Sequence, residues 1–276
     1  MNITEKEVLS DVGGVRVIRI TVHVPHIARK AKPGQFVVLM VREEGERIPL
    51  TVVSNDTLKG TITLIFQELG FTTKLLAQLQ EGDSLYALAG PLGHATAIKQ
   101  YGKVILVGGG VGIAEIYPVA KALKDAGNHL TTILGARTKT LLILEQQLRS
   151  ISDEFHVTTD DGSYGKKGFV TDVLKELLPR GSYGLVYAVG PIPMMKNVAG
   201  VTKDFQTKTM VSLNALMVDG TGMCGCCRVT VDNQTRFSCV DGPEFDAWTV
   251  DWDELTKRNR VYAAQEKHMC NLHKVQ

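Results

Sequence analysis

The sequence predicts an α/β plus β chain in three parts: an N-terminal antiparallel β-barrel (1–97), a parallel α/β domain (98–205) and a small cysteine-rich module with a tail (206–276). Three observations carry this. Short alternating apolar and polar segments, broken by Gly and Pro, fill the first part. A strand, a run of glycines and a helix open the second. Four of the five cysteines then fall between Cys224 and Cys239.

In the first part the alternation marks strands at 15–24, 35–41, 51–54 and 61–67. From Lys103 the period changes to strand, helix, strand, with strands at 104–107 and 130–134 and helices at 114–126, near 141–148 and at 170–178. In the third part, 228–231 and 235–240 alternate around Asp232-Asn233-Gln234, a hairpin pattern that carries Cys239 back toward the other cysteines. There is no internal repeat and no low-complexity linker.

Composition removes several function classes. With 44% hydrophobic and 22% charged residues the 276-residue chain has a globular profile with room for two or three domains. A net charge of +2 offers no electrostatic footprint for nucleic acid. The opening Met-Asn-Ile-Thr-Glu-Lys-Glu lacks the apolar centre of a signal peptide, and no apolar run approaches the roughly 18 residues of a membrane span. A cytoplasmic location is expected, where clustered cysteines hold metal more often than they form disulfides.

The segment Asp219-Gly-Thr-Gly-Met-Cys224-Gly-Cys226-Cys227 with Cys239 has the spacing of a small metal site. Plant-type 2Fe-2S sites use C-x4-C-x2-C and one later cysteine, because a Gly-rich loop must offer three ligands in succession. Here Asp219 holds the first position, and a carboxylate can ligate iron. Asp219, Cys224, Cys227 and Cys239 therefore read as the ligand set, with Cys226 pointing away. Structural zinc on Cys224, Cys226, Cys227 and Cys239 is one alternative, and buried apolar cysteines are another. Within the cluster reading, Asp219 capping the Gly220 turn, or Cys226 as fourth ligand, stays open.

The α/β domain begins Lys103-Val-Ile-Leu-Val107-Gly108-Gly109-Gly110-Val111-Gly112. Gly109, Gly110 and Gly112 let backbone approach a pyrophosphate at a helix N-terminus, although glycines also serve helix–strand packing. Arg137, Asp160 with Asp161, and Gly190-Pro191 with Met194 all lie where strands end, and ligands of open α/β sheets collect there. Asp160 and Asp161 favour a free ribose hydroxyl and hence NAD, while Arg137 and Lys166 leave NADP open.

Together these parts resemble the ferredoxin-reductase superfamily. They are most similar to its branch of electron-transfer subunits from dihydroorotate dehydrogenase and from NADH-dependent ferredoxin:NADP oxidoreductase. The resemblance spans nearly the whole chain, with the motifs in the family's order. It implies that the barrel binds FAD through Arg47-Ile48-Pro49-Leu50-Thr51, with Arg47 on a phosphate and Thr51 as the hydroxyl near the reactive flavin nitrogen. Leu50 stands where many reductases stack a tyrosine on the ring. Gly70-Phe71-Thr72-Thr73 resembles the family's diphosphate turn at a helix start, and Gly90-Pro91-Leu92-Gly93 its turn into the nucleotide domain. Without the resemblance Arg47 is a solvated strand-end charge, Thr51 an ordinary strand residue and Thr72-Thr73 an N-cap.

The implied chemistry is electron transfer: NAD(H), or NADP(H), delivers a hydride to FAD, and a 2Fe-2S cluster takes single electrons to a partner. Asp219 points to the ferredoxin:NADP oxidoreductase small subunit, since the dihydroorotate dehydrogenase subunit usually has cysteine there. That reading implies a larger partner with FAD and 4Fe-4S clusters, bifurcation of electrons within the complex, and ferredoxin reached through it. The alternatives are the dihydroorotate dehydrogenase subunit, a hydrogenase or sulfide dehydrogenase subunit, and a zinc-stabilised nucleotide sensor. His94 reads as a loop residue, Trp248 and Trp252 as cover for the cysteine module or an interface, and His268, Cys270 and His273 as a solvated or partner-contacting end.

Overall fold

Antiparallel strands build the N-terminal part. Strand β1 (Ile3–Val12) pairs with β2 (Val15–His23), which precedes the short helix α1 (Pro25–Ala28), β3 (Phe36–Met40), β4 (Arg47–Thr51), β5 (Ser54–Asp56), β6 (Thr61–Gln67), helix α2 (Phe71–Gln78) and β7 (Ala87–Leu92). The coordinates are a computed structural model that describes residues 1–272, and side chains through residue 269; His273 and the side chain of Cys270 lie outside the described residues.

The ladders form two sheets, β1-β2-β6-β5 and β4-β3-β7, where the sequence predicts one barrel. The reason lies in the stretch 51–54, which reads as a single strand but ends β4 and starts β5. Between them the Val52 N–H donates to Gln35 O beside one sheet, and the Val53 N–H to Thr63 O in the other. Both valines are buried, so the chain crosses from sheet to sheet through the core. Among the described residues no ladder closes the two sheets into a ring. Their inner faces pack Ile18, Ile20, Leu39, Ile62, Leu64 and Phe66 into one cluster.

The next elements are β8 (Lys103–Gly109), α3 (Gly112–Asp125), β9 (His129–Ala136), α4 (Glu145–Ile151), β10 (Glu154–Thr159), β11 (Lys166–Lys167), α5 (Val170–Leu177), β12 (Leu185–Val189), α6 (Ile192–Asp204) and β13 (Thr209–Ser212). With a later strand, β16 (Glu244–Asp246), they form a seven-stranded sheet in the order β11-β10-β9-β8-β12-β13-β16, parallel except for its last strand. Alternation along β8 shows why both faces need helices: Ile105 and Val107 enter the core under α5 and α6, Val104 and Leu106 the core under α3. Strand order reverses between β8 and β12, and an open α/β sheet has its binding crevice at such a reversal.

After β13 the chain forms the cysteine loop, then hairpin β14 (Arg228–Val231) and β15 (Gln234–Phe237), strand β16 (Glu244–Asp246) and helices α7 (Trp252–Arg258) and α8 (Ala263–Leu272). Asp232 and Asn233 have φ of 52° and 57°, the paired left-handed conformation that a two-residue hairpin turn requires. Strand β16 pairs antiparallel with β13, so the module is sewn to the edge of the large sheet. Cys227, Cys239 and Trp252 share the core of α5 and α6. The Trp248 indole N–H donates to Thr202 Oγ1 on α6 at 3.2 Å.

Candidate functional site

At the reversal point lies a cleft of about 620 Å³. Gly109 ends β8, Gly110 lies in the turn and Gly112 starts α3; Arg137 follows β9, Asp160 follows β10, and Gly190, Pro191 and Met194 follow β12; all eight line the cleft. Two glycines show why no other residue serves. A Cβ on Gly112 would lie 2.6 Å from Val189 O, which fixes how closely α3 starts beside β12. Gly110 has φ +57°, and a Cβ there would meet nothing within 4 Å, so its backbone faces open space at the helix start. Asp161 is outside this wall; the Ser163 hydroxyl first, and then the Ser163 N–H, which donates to its carboxylate at 2.9 Å, hold it below the usual carboxylate range. Lys166 is ion-paired with Glu176.

A smaller cleft of about 340 Å³ lies between the N-terminal sheets and the large sheet. Pro49, Leu50, Thr51, Gly70 and Thr73 line it, with an apolar floor of Phe36, Val53, Ile65 and Phe66. Arg47, Thr72, Gly90, Pro91 and Gly93 are not on its wall. Arg47 begins β4 and is exposed. Thr72 is buried and donates to Glu46 at 2.6 Å, while Thr73 Oγ1 accepts from the Gly70 and Leu69 N–H groups and so caps α2. Of the 90–93 segment, which resembles the family's turn into the nucleotide domain, Gly90 to Leu92 end edge strand β7, where a register shift accommodates Pro91, and Gly93 follows it. Gly93 is placed so that a Cβ would strike Phe36 and Pro243, two residues of the cleft wall.

The cysteine loop is built differently. Gly220, Gly222 and Gly225 are all left-handed, which curls the chain from Asp219 to Cys227. Buried Cys227 and Cys239 bring their Sγ atoms within 3.1 Å. Burial first, then the Cys227 thiol, pushes the Cys239 thiol up to about 12. Asp219 accepts from Thr221 N at 2.7 Å and Cys224 N at 2.8 Å, and those N–H bonds hold its carboxyl low. Among the described residues no three such side chains already converge on a metal position. The donor set nevertheless suits a soft metal centre: two close thiols, an exposed Cys224, and Asp219 near enough for its charge to act on Cys239. Among the described residues two buried side-chain polar atoms lack partners, Ser238 Oγ beside Cys239 and Arg258 Nε, whose guanidinium donates to Cys226 O at 3.0 Å; both border this loop.

Residues 214–251 match the family described as the iron-sulfur cluster binding domain of dihydroorotate dehydrogenase B, and 106–200 match the oxidoreductase NAD-binding domain. A dihydroorotate dehydrogenase B (NAD(+)) electron transfer subunit homolog from Thermotoga maritima is 51% identical over 246 residues, 89% of this chain and 87% of its own. This chain belongs to that family of electron transfer subunits. Another member, from Geobacillus thermodenitrificans, is 35% identical over 85% of this chain and 93% of its own. A solved structure titled for flavin-based electron bifurcation in the NADH-dependent reduced ferredoxin-NADP oxidoreductase superposes with a TM-score of 0.92 at 47% identity, covering 100% of this chain and 98% of that one. As an electron transfer subunit the chain is an oxidoreductase component with an NAD-binding and an iron–sulfur domain in a flavin-reductase fold. Among the described residues no helix is long and apolar enough to cross a membrane.

In this electron transfer subunit the two clefts meet. Gln67, Leu69, Val111, Glu115 and Asn214 line both, and of these only Val111 falls inside a sequence motif. Glu115 is the informative one. It stands in the first turn of α3 among buried Ile113, Ala114 and Ile116, so a charged residue on an otherwise apolar turn is the signal the sequence offers. Burial pushes its carboxyl up to about 7, against a hydrogen bond from Thr51 that favours the ionised form.

Proposed function

We propose that the chain passes electrons from a nicotinamide nucleotide in the larger cleft, through FAD in the smaller one, to a 2Fe-2S cluster in the cysteine loop. The observation that carries this is the shared wall: a hydride donor and an acceptor in the two clefts would meet at Gln67, Leu69, Val111, Glu115 and Asn214. Other residues of the smaller cleft, Ser212, Leu213, Ala215 and Met217, belong to the stretch that leads to Asp219 and the cysteines.

When bound, a flavin supplies the conversion between a two-electron hydride donor and a one-electron acceptor. The chain's own residues do the rest. Phe36, Leu50, Ile65 and Phe66 exclude water from the smaller cleft, with Leu50 an aliphatic face where a ring would stack. Thr51 offers its hydroxyl at the reacting edge. Arg47 and the Gly70-Phe71-Thr72-Thr73 turn hold the diphosphate at the rim, Thr72 exchanging its bond to Glu46 for the ligand. The start of α3 takes the nucleotide pyrophosphate, and Asp160 selects NAD(H), with Arg137 the group through which NADP(H) would bind. Asp219, Cys224, Cys227 and Cys239 hold the cluster.

The finer reading is the small subunit of a cytoplasmic NADH-dependent ferredoxin:NADP oxidoreductase, docked on a larger subunit with FAD and 4Fe-4S clusters and reaching ferredoxin through that complex. Support comes from the full-length likeness to that structure and from Asp219 in place of the first cysteine. The names of the sequence relatives favour a second reading, the electron transfer subunit of a dihydroorotate dehydrogenase.

Purification from the native cell separates the two. A large flavin and 4Fe-4S chain copurifying is the expected result, and a dihydroorotate-oxidising partner would overturn the finer reading. The isolated chain is expected to show flavin and iron–sulfur absorption that NADH bleaches; a colourless zinc protein would overturn both. Arg47→Ala is expected to lose FAD on desalting while keeping its iron, and stoichiometric FAD in that variant would remove Arg47 from the site.

A further inference from the structure

We propose that Ser238 and Arg258 are hydrogen-bond donors to the sulfur atoms of the iron–sulfur centre, and that they set how readily it takes up an electron. The inference deepens the reading that Asp219, Cys224, Cys227 and Cys239 hold a 2Fe-2S cluster, and it rests on that reading.

Buried polar groups are paired in folded proteins, because an unpaired one forfeits its bonds to water and gains nothing in return. Two fully buried hydroxyls of the large sheet obey this, Thr159 donating to Tyr164 O and Thr209 to Thr207 O, each at 2.8 Å. Ser238 Oγ and Arg258 Nε do not. One follows β15 and the other ends α7, yet both border the cysteine loop.

The backbone fixes each of them there. The Ser238 N–H donates to Cys227 O at 3.0 Å, and the next N–H, that of Cys239, reaches Cys227 Sγ at 3.4 Å. Ser238, itself fully buried, is therefore pinned beside both buried cysteines. Trp252 and Leu255 of α7 lie in the same core as Cys227 and Cys239, which anchors the helix that ends in Arg258. One residue on, Asn259 grips the chain leading into the loop, donating to Asn214 O at 2.9 Å and accepting from the Leu216 N–H at 3.3 Å. Arg258 then donates through one Nη to Cys226 O at 3.0 Å, and its Nε–H remains free for a second acceptor.

Chemistry identifies that acceptor. An arginine Nε–H can only donate, and a serine hydroxyl can donate too, so the group that satisfies both is rich in acceptors. Thiolate and sulfide sulfurs of a 2Fe-2S centre are such acceptors, and their negative charge grows by one when an electron arrives. A donor bonds the more negative state more strongly, and a guanidinium adds a fixed positive charge, so both residues raise the potential of the centre.

The test compares the iron-free with the iron-loaded protein, since a donor to the centre acts on the two forms in opposite senses. Ser238→Ala takes an unpaired hydroxyl out of the iron-free core, and the urea midpoint of that form is expected to hold or rise. In the loaded protein the same change is expected to lower the cluster midpoint, read by magnetic resonance in a dithionite titration, and to speed iron release to a chelator by about 2- to 10-fold. Arg258→Gln loses the charge and the Nε donor together, so its cluster midpoint is expected to fall further, with Arg258→Lys between it and the wild type. Loaded variants with wild-type midpoints and wild-type iron release would overturn the proposal and leave the cluster reading intact. Equal destabilisation of Ser238→Ala with and without iron would also overturn it, marking the hydroxyl as core packing alone. Should Ser238→Ala fail to fold, the arginine variants decide, and midpoints equal to the wild type in both overturn the proposal. Wild-type protein that carries zinc and gives no 2Fe-2S signal would overturn the cluster reading as well.

Discussion

The nucleotide cleft and the cysteine loop are two sites made on opposite principles. The cleft is a by-product of the large sheet: strand order reverses at β8 and β12, Gly112 lets α3 start against Val189, and the space exists because the backbone around it is packed from both faces. Between Asp219 and Cys227 the loop contains no helix or strand of its own. Its donors satisfy one another or the local backbone, Cys227 with Cys239 and Asp219 with Thr221 and Cys224. The contrast teaches that the first site is set by the fold, whereas the second completes its geometry with the metal.

The largest expected effect follows directly. Cys227→Ser removes one of the two buried thiols and puts a hydroxyl in the core beside Trp252. Iron content is expected to fall to near zero, and amide exchange across 214–251 to accelerate strongly, while exchange across 106–200 stays as it was. Equal loosening of both regions would erase the distinction between them.

A second test asks whether the cleft wall is built in the absence of ligand, because only then is Glu115 already half-buried and desolvated. Its carboxyl has an ordinary value of 4.5 and a folded value of about 7. Between those values the folded chain keeps a proton that the unfolded chain has lost. Stability of the flavin-free protein is therefore expected to fall as pH rises from 4.5 to about 7, and to level off above, by at most about 3 kcal/mol. Glu115→Gln is expected to flatten this slope. Urea midpoints measured across the window check it.

How much was legible in the sequence divides along the same line. The glycines after β8, the Asp232-Asn233 turn and the cysteine spacing are local chemistry, and the structure has a helix start, a hairpin and a curled loop at those places. What escaped depends on partners far along the chain. Strand β1, with Glu5, Lys6 and Glu7, does not alternate because it is a solvent-facing edge whose one ladder among the described residues is with β2. The helix near 141–148 begins later, at Glu145, since Leu144 is left-handed at φ 51°. Strands β13 and β16 join the large sheet through a pairing that no short-range pattern announces. Glu115 shows in the sequence only as a charge on an apolar turn, because the smaller cleft that makes it important is assembled from β3, β4, β6 and the 212–217 stretch.

If the cleft is set by packing, a single added methyl at its closest approach has to disturb it. Gly112→Ala places a Cβ 2.6 Å from a backbone carbonyl that cannot rotate away. A loss of about 1–3 kcal/mol in stability is expected, with weaker NADH binding and an unaltered iron content. The same change at Gly110 meets open space but carries the backbone strain of φ +57°, so it is expected to weaken nucleotide binding with less effect on packing. Calorimetry of both variants with and without NADH separates the two costs.

The smallest expected effect, and the sharpest test of the loop, concerns Asp219. Its carboxylate already accepts two backbone N–H groups, yet a carboxylate has about four lone-pair sites, so capping the turn and ligating iron are compatible. A carboxylate donates less electron density to iron than a thiolate, so the cluster is expected to be reduced more easily than an all-cysteine plant-type one, which sits near about −400 mV. Asp219→Cys is then expected to keep a 2Fe-2S signal and to lower its potential. Asp219→Asn retains one acceptor for the turn but has no anionic ligand, so it is expected to fold normally while binding iron less firmly. An Asp219→Cys protein with unchanged potential and unchanged magnetic resonance spectrum would leave the residue as a turn cap alone. It would then shift the fourth ligand to Cys226, whose removal is otherwise expected to be nearly silent.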